Sequence, residues 1–254
     1  MSKRKVIRKL LRLRILWAGF FIASVIVVIW YAPKLSEPLP SEPVKIGFIG
    51  DSITRGGAKN VSNPVESEMA VLGNDFESIN RGKGGASSTS WLPGHQLFDD
   101  ALASFKAQNV HVVSIMLGTN DARTDIATPP AVYEKNVSAM IASLLTSGSV
   151  TRVIINYPPY VRPGAIGLWD DASIDRLKLY MGVIDVLARE KGVVKGDSKA
   201  FGYFQKHQEL LLDGVHPNAE GNVELGRLWA NAYEKIMSEQ LANRISLPMG
   251  YKST

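Results

Sequence analysis

Apolar positions along the chain fall into two kinds of run. Short runs rich in β-branched residues occur at Val44–Ile49, Phe76–Asn80, Val110–Leu117, Val150–Asn156 and Val193–Val194. Longer runs with apolar residues at helical spacing cover Gln96–Gln108, Ala131–Leu145 and Ala172–Glu190. A last helix is expected from Pro217 to about Ala242, proline suiting a first-turn position. The run at Val110–Leu117 is apolar almost throughout, as in a strand covered on both faces. Strand–helix alternation predicts an α/β protein, a three-layer α/β/α sandwich with a mostly parallel five-stranded sheet. The domain is expected over residues 44–245, with a short tail at 246–254.

Ahead of this domain the pattern changes. Ile15 to Ala32 is 18 residues without a charge, which as a helix spans about 27 Å, close to the hydrocarbon thickness of a bilayer. Trp17 lies near one end and Trp30 and Tyr31 at the other, where an aromatic belt would place them. A cleaved signal peptide needs small residues at its exit, and this one reads Val-Ile-Trp-Tyr-Ala-Pro-Lys. An uncleaved, single-pass transmembrane helix is expected at 15–32. Residues 33–43 hold four prolines and read as a stiff, extended linker.

Charge sharpens that picture. The chain of 254 residues carries a net charge of +5, but residues 1–14 hold seven positive side chains and no acid. Without them the balance is 22 basic to 24 acidic residues, so nothing points to nucleic acid as a partner of the domain. The basic cluster precedes the apolar span. The positive-inside rule therefore puts residues 1–14 in the cytoplasm and the domain in the periplasm or outside the cell. There is no cysteine, and the four histidines show no ligand spacing, so neither a metal nor a cofactor is expected.

In sheets of this kind the chemistry collects at the carboxyl ends of the strands. Four such ends carry polar, glycine-rich sequence: G50-D-S-I-T54, N80-R-G-K-G-G-A-S87, G118-T-N-D121 and N156-Y-P-P-Y160. D213-G-V-H-P217 precedes the last helix. Taken singly, each is an ordinary turn or cap. Taken together they supply what a serine nucleophile needs, namely a base, a group that orients the base, and donors for an oxyanion. Ser52 offers the hydroxyl, His216 the base and Asp213 the orienting carboxylate. The Ser52 N–H, a glycine N–H of the second loop and the Asn120 amide are the candidate donors. The Gly-x-Ser-x-Gly elbow and the phosphate-cradling P-loop are both absent. A second Gly-Asp-Ser at 196–198 reads as a turn after the fifth strand.

Blocks of this kind, in this order, resemble the SGNH hydrolases, also called GDSL esterases and lipases. G50-D-S-I-T54 looks like the nucleophile block, with Ser52 the nucleophile. N80-R-G-K-G-G-A-S87 matches the second block with Gly85 as the oxyanion glycine, Gly82 and Gly84 being near alternatives. G118-T-N-D121 is similar to the third, with Asn120 the oxyanion side chain, and D213-G-V-H216 to the last, with Asp213 and His216 completing the triad. The resemblance covers about residues 44–235 and implies a flavodoxin-like hydrolase fold working without a cofactor.

It also implies a serine esterase. Outside the membrane, the substrate expected is an O-acyl, chiefly O-acetyl, ester on envelope or extracellular carbohydrate, or a small ester. Trp91, Tyr157, Tyr160 and Trp169 lie in loops near the strand ends, either to stack on sugar rings or to pack within the domain. Two other readings use the same residues: an O-acyltransferase acting on a polysaccharide, and a non-catalytic subunit of an envelope assembly.

Overall fold

The computed structural model describes residues 43–56 and 63–246. The basic segment, the run at 15–32 where a transmembrane helix is expected and nearly all of the expected linker lie outside the described residues, as does the tail beyond residue 246. Among the described residues no helix is long and apolar enough to cross a membrane.

Five strands form one sheet: β1 (Val44–Gly50), β2 (Phe76–Asn80), β3 (Val112–Met116), β4 (Arg152–Ile155) and β5 (Val193–Lys195). Their order is β2-β1-β3-β4-β5, and every pairing is parallel. This is the flavodoxin-like order, whose topological switch point lies between β1 and β3. β3 and β4 are shorter than the apolar runs that announced them. Val110, Leu117, Val150 and Asn156 are buried in the connections instead, so burial there continues past the ladder.

Among the described residues seven α-helices accompany the sheet: α1 (Ser52–Arg55), α2 (Pro64–Leu72), α3 (Gln96–Ala107), α4 (Pro130–Leu145), α5 (Asp171–Leu187), α6 (Ala200–Lys206) and α7 (Ala219–Ser246). Successive residues of β1 point to opposite faces, and both faces are covered. Phe105 of α3 lies against Gly47, with ring carbons within 3 Å of where a Cβ would stand. On the other face Phe48 stacks on Trp229 of α7, centroids 6.3 Å apart. A parallel sheet needs this double cover, since its strands have no polar face to show to water.

Three helices were not anticipated from the apolar pattern: α1, α2 and α6. Each is nine residues or fewer, too short for a clear helical period. The last helix begins two residues later than expected. Pro217 is not in its first turn but pairs with Leu211 in an isolated bridge, which closes the loop carrying Asp213 and His216.

Candidate active site

The nucleophile segment turns sharply out of β1. Asp51 caps α1, its buried Oδ1 accepting from the Ile53 N–H at 2.8 Å. Gly50 precedes it because Thr54 folds back over the turn: a Cβ at Gly50 would stand 2.0 Å from Thr54 Oγ1. Ser52 is thus the first residue of a short helix at the switch point. Its N–H has no acceptor within the helix.

The loop of Asp213 and His216 is tightly drawn. Asp213 Oδ1 accepts from the N–H groups of Val215 and His216 at 2.9 and 2.8 Å. Its Oδ2 lies 2.7 Å from His216 Nδ1. The opposite ring nitrogen, Nε2, is 2.8 Å from Ser52 Oγ. Burial alone would raise the Asp213 carboxyl, but the two N–H groups and the imidazole outweigh it and hold it below the usual carboxylate range. An ionised carboxylate can only accept, so Nδ1 carries the ring proton. Nε2 is then left as an acceptor facing the Ser52 hydroxyl. That is the arrangement in which an imidazole can take a proton from a serine.

Donors gather beside Ser52. The second loop is stitched onto the nucleophile turn by Asn80, whose Nδ2 donates to Thr54 O at 2.8 Å while its Oδ1 accepts from the Gly82 N–H at 2.9 Å. The Lys83 N–H donates to Gly50 O at 3.0 Å, and Trp91 Nε1 donates to the same oxygen at 3.1 Å. Gly82 has therefore spent its N–H within the loop. Gly85 has φ +75°, is exposed, and its N–H has no acceptor among the described residues. Asn120 donates through Nδ2 to Ala86 O at 3.1 Å, which fixes the amide and leaves its second N–H uncommitted.

Beneath these donors lie two buried acids to which the sequence reading gave no role. Asp121 accepts from the Ser88 N–H at 2.9 and 3.1 Å and from the Ser88 hydroxyl at 2.5 Å. Burial raises its pKa, and the Ser88 donors pull it back. Asp51 is pushed up to about 6, first by burial, with the Ile53 N–H and the positive field of His216 opposing the rise. Both residues stand inside quoted blocks. Their position beside Ser52 and Asn120 was the available signal.

The aromatic candidates are placed otherwise than a sugar platform requires. Trp91 is wholly buried. Trp169 is buried with its Nε1 donating to Thr119 O at 2.9 Å, and Tyr160 is buried edge-on to Phe201. Tyr157 is half-buried and gives its hydroxyl to Asp185 at 2.7 Å. Three of the four are core residues of the loops, because a loop that must hold a catalytic group still needs an apolar anchor beneath it.

The second Gly-Asp-Ser has a structural explanation. Asp197 holds the turn that leads into α6, accepting from the N–H groups of Lys199 and Ala200 at 3.0 and 2.9 Å. A cavity of about 230 Å³ lies beside Ser198 and is lined by Lys195, Lys199 and Lys235. It includes none of Ser52, Gly85, Asn120 or His216. No base contacts the Ser198 hydroxyl among the described residues. Hydroxyl–base geometry, not concavity, separates the two copies.

Residues 48–223 match the family model described as GDSL-like Lipase/Acylhydrolase family. The chain belongs to this GDSL-like lipase/acylhydrolase family. It is accordingly a serine ester hydrolase. No curated protein matches the chain.

Solved structures share the fold of this GDSL-family chain at low identity. A catalytic mutant of an acetylxylan esterase from Geobacillus stearothermophilus is 22% identical, with a TM-score of 0.56 over 76% of this chain and 94% of that one. A carbohydrate acetylesterase from Sinorhizobium meliloti is 21% identical, with a TM-score of 0.53 over 77% and 99%. The aryl esterase of M. smegmatis is 19% identical, with a TM-score of 0.55 over 76% and 98%.

Proposed function

We propose that the chain is a membrane-anchored esterase that removes O-acyl, chiefly O-acetyl, groups from envelope or extracellular carbohydrate. Ser52 Oγ bonds to the ester carbonyl carbon while its proton passes to His216 Nε2. The carbonyl oxygen, now an oxyanion, is received by the N–H groups of Ser52 and Gly85 and by the Asn120 amide. The bond to the sugar oxygen breaks as His216 returns the proton to the leaving alcohol. Water then attacks the acyl-serine, its proton going to His216 and from there to Ser52 Oγ as the acid departs. Asp213 keeps Nδ1 protonated and stabilises the imidazolium.

One observation carries this reading: the unbroken line from Asp213 Oδ2 through the imidazole to Ser52 Oγ, with contacts of 2.7 and 2.8 Å, beside uncommitted donors. Carbohydrate is favoured because two of the similar structures are an acetylxylan esterase and a carbohydrate acetylesterase. The anchor rests on the uncharged run from Ile15 to Ala32 and the basic residues before it. Residues 33–43 would hold the hydrolase domain off the bilayer.

The test uses the full-length chain in detergent beside Ser52→Ala. Acetate release from an acetyl ester is followed with and without a sugar acceptor. Ser52-dependent release that ignores the acceptor is the expected result. An acetylated acceptor would make the protein a transferase. A fluorophosphonate that fails to label Ser52 would sink the nucleophile assignment.

A further inference from the structure

Two arginines lie against the loops that carry the candidate catalytic groups, Arg55 against the second loop at Gly84 and Arg162 against the Asp213–His216 loop at Gly214. Arg55 ends the helix that Ser52 begins. Its guanidinium lies over Gly84, beside the oxyanion glycine, with Nη1 3.0 Å from where a Cβ would stand. Arg162 belongs to the segment after β4. Its N–H donates to Gly214 O at 2.8 Å, and its Nε and Nη2 lie 3.1 and 3.2 Å from a Cβ position on Gly214. Gly214 stands between Asp213 and His216. Each guanidinium is therefore anchored on a loop that carries catalytic groups.

Both side chains belong to exposed residues, as does Lys83 on the second loop. None of the three has a carboxylate within ion-pair distance among the described residues, whereas Arg123, Arg176 and Arg227 elsewhere on the domain are each paired. The half-buried acid of the site, Asp213, is committed to His216. The chain beyond residue 14 has a slight excess of acid, so this local positive charge is not a reflection of average composition. Unpaired cations at the mouth of a catalytic site focus a positive potential there and raise the local concentration of anions. A guanidinium adds a planar fork of donors that fits a carboxylate or phosphate.

We infer that Arg55 and Arg162 select an acyl ester whose alcohol part carries an anionic oxygen group, a carboxylate or a phosphate, near the acylated hydroxyl. Resting on the esterase reading above, this narrows its substrate from acetylated carbohydrate in general to acidic acetylated carbohydrate. A rival role must be separated from it. The same charges could act on the oxyanion, which every ester forms, and would then favour all substrates alike.

The experiment compares three acetylated sugars on the full-length protein: an O-acetyl glucuronoside, its neutral methyl ester, and an O-acetyl sugar phosphate. Wild type is expected to prefer the glucuronoside or the phosphate over the methyl ester by about 10-fold or more in kcat/KM, through KM. Which of the two anions is preferred identifies the source of the charge. Arg55→Gln and Arg162→Gln should each reduce that preference several-fold, and added salt should reduce it in wild type.

Equal kcat/KM for acid and methyl ester in wild type would overturn the inference. So would variants in which all three rates fall together, which would assign the arginines to the oxyanion. Ser52-dependent hydrolysis of 4-nitrophenyl acetate reports on the esterase reading separately. If none of the three sugars turns over, calorimetry with Ser52→Ala decides. Glucuronoside or sugar phosphate binding that weakens in the arginine variants supports the inference, and absence of binding refutes it.

Discussion

Asp121 grips Ser88 through both its N–H and its hydroxyl, the latter at 2.5 Å, although 33 residues separate them. Each lies near a proposed oxyanion donor. Asp121 follows Asn120, and Ser88 is three residues past Gly85. Asn136 closes the arrangement by donating to Ser88 Oγ at 3.0 Å. The two halves of the proposed oxyanion pocket are thereby set at a fixed separation by a buried contact that touches no substrate. Ser88→Ala should leave the Asp121 carboxylate short of a donor and the Asn136 amide short of an acceptor, at a stability cost of about 1–3 kcal/mol. Because small misplacements of positioned groups are costly in rate, kcat on a soluble acetyl ester should also fall about 10-fold with KM little moved. Ser88→Thr, which restores the hydroxyl, should recover most of that loss. A thermal melt and a Michaelis curve on the three proteins decide it; a lower melting temperature with unchanged kcat would make the contact purely structural.

Asn120 offers a more direct test. One Nδ2 hydrogen is spent on Ala86 O at 3.1 Å, which holds the amide plane while the other is left for an oxyanion. Asn120→Ala removes a donor whose worth is realised in the transition state, and kcat should fall by about 10²–10³. Ala86 O is buried and loses its donor, so a stability cost of about 1–3 kcal/mol is expected beside the rate loss. Ester hydrolysis at the wild-type rate by a folded Asn120→Ala protein would remove this side chain from the mechanism.

How far these features were legible in the sequence depended on what fixes them. Five apolar runs at Val44, Phe76, Val110, Val150 and Val193 marked five strands, because a doubly covered parallel strand must be apolar on both faces. Polar blocks at three strand ends, Gly50–Thr54, Asn80–Ser87 and Gly118–Asp121, marked segments that the fold ties together. The short helix α2 escaped notice because its nine residues, with Glu66 and Glu68 among them, carry no clear helical period. The choice between stacking and packing for the aromatics was likewise left open by the sequence. Loop position suggests exposure for Trp91 and Trp169, and only the folded chain shows that Gly50 O and Thr119 O accept from their ring N–H groups. The ties from Asn80 to Thr54 and from Asp121 to Ser88 join segments far apart in the chain, and local pattern carries no record of them.

The repeated Gly-Asp-Ser invites a paired prediction. At the second copy a Cβ on Gly196 would stand 2.1 Å from Asn156 Oδ1. That same oxygen accepts from the Asp197 N–H at 2.8 Å. Gly196→Ala must push these groups apart inside a buried region and should destabilise the domain by about 1–3 kcal/mol, read as a lowered urea midpoint. Ser198→Ala removes an exposed hydroxyl with no base beside it, and ester hydrolysis should stay within about 2-fold of wild type, a surface substitution of this kind being close to neutral. Loss of activity in Ser198→Ala at full stability would reverse the assignment of the two motifs.

Glu68 makes the strongest pH-dependent prediction. It sits on α2 against α7, almost wholly buried, and its Oε2 has no hydrogen-bond partner among the described residues. Trp229 Nε1 and Tyr233 Oη, which line the same small cavity, are likewise unpartnered. Burial with no compensating donor pushes the carboxyl from its ordinary 4.5 up to about 8. Between those values the folded chain keeps a proton that the unfolded chain has released. The stability tied to this group is therefore complete below about 4.5, declines as the pH rises, and is lost by the time it passes about 8. Glu68→Gln keeps the shape of the neutral acid and removes the titration. It should match wild type in urea unfolding at pH 4.5 and be more stable at pH 9, by an amount on the order of 4 kcal/mol. The difference between the two proteins across pH isolates this carboxyl from every other titrating group. A constant difference from pH 4.5 to 9 would mean that Glu68 ionises in the folded chain as it does in the unfolded one, and that some group not seen beside it neutralises its charge.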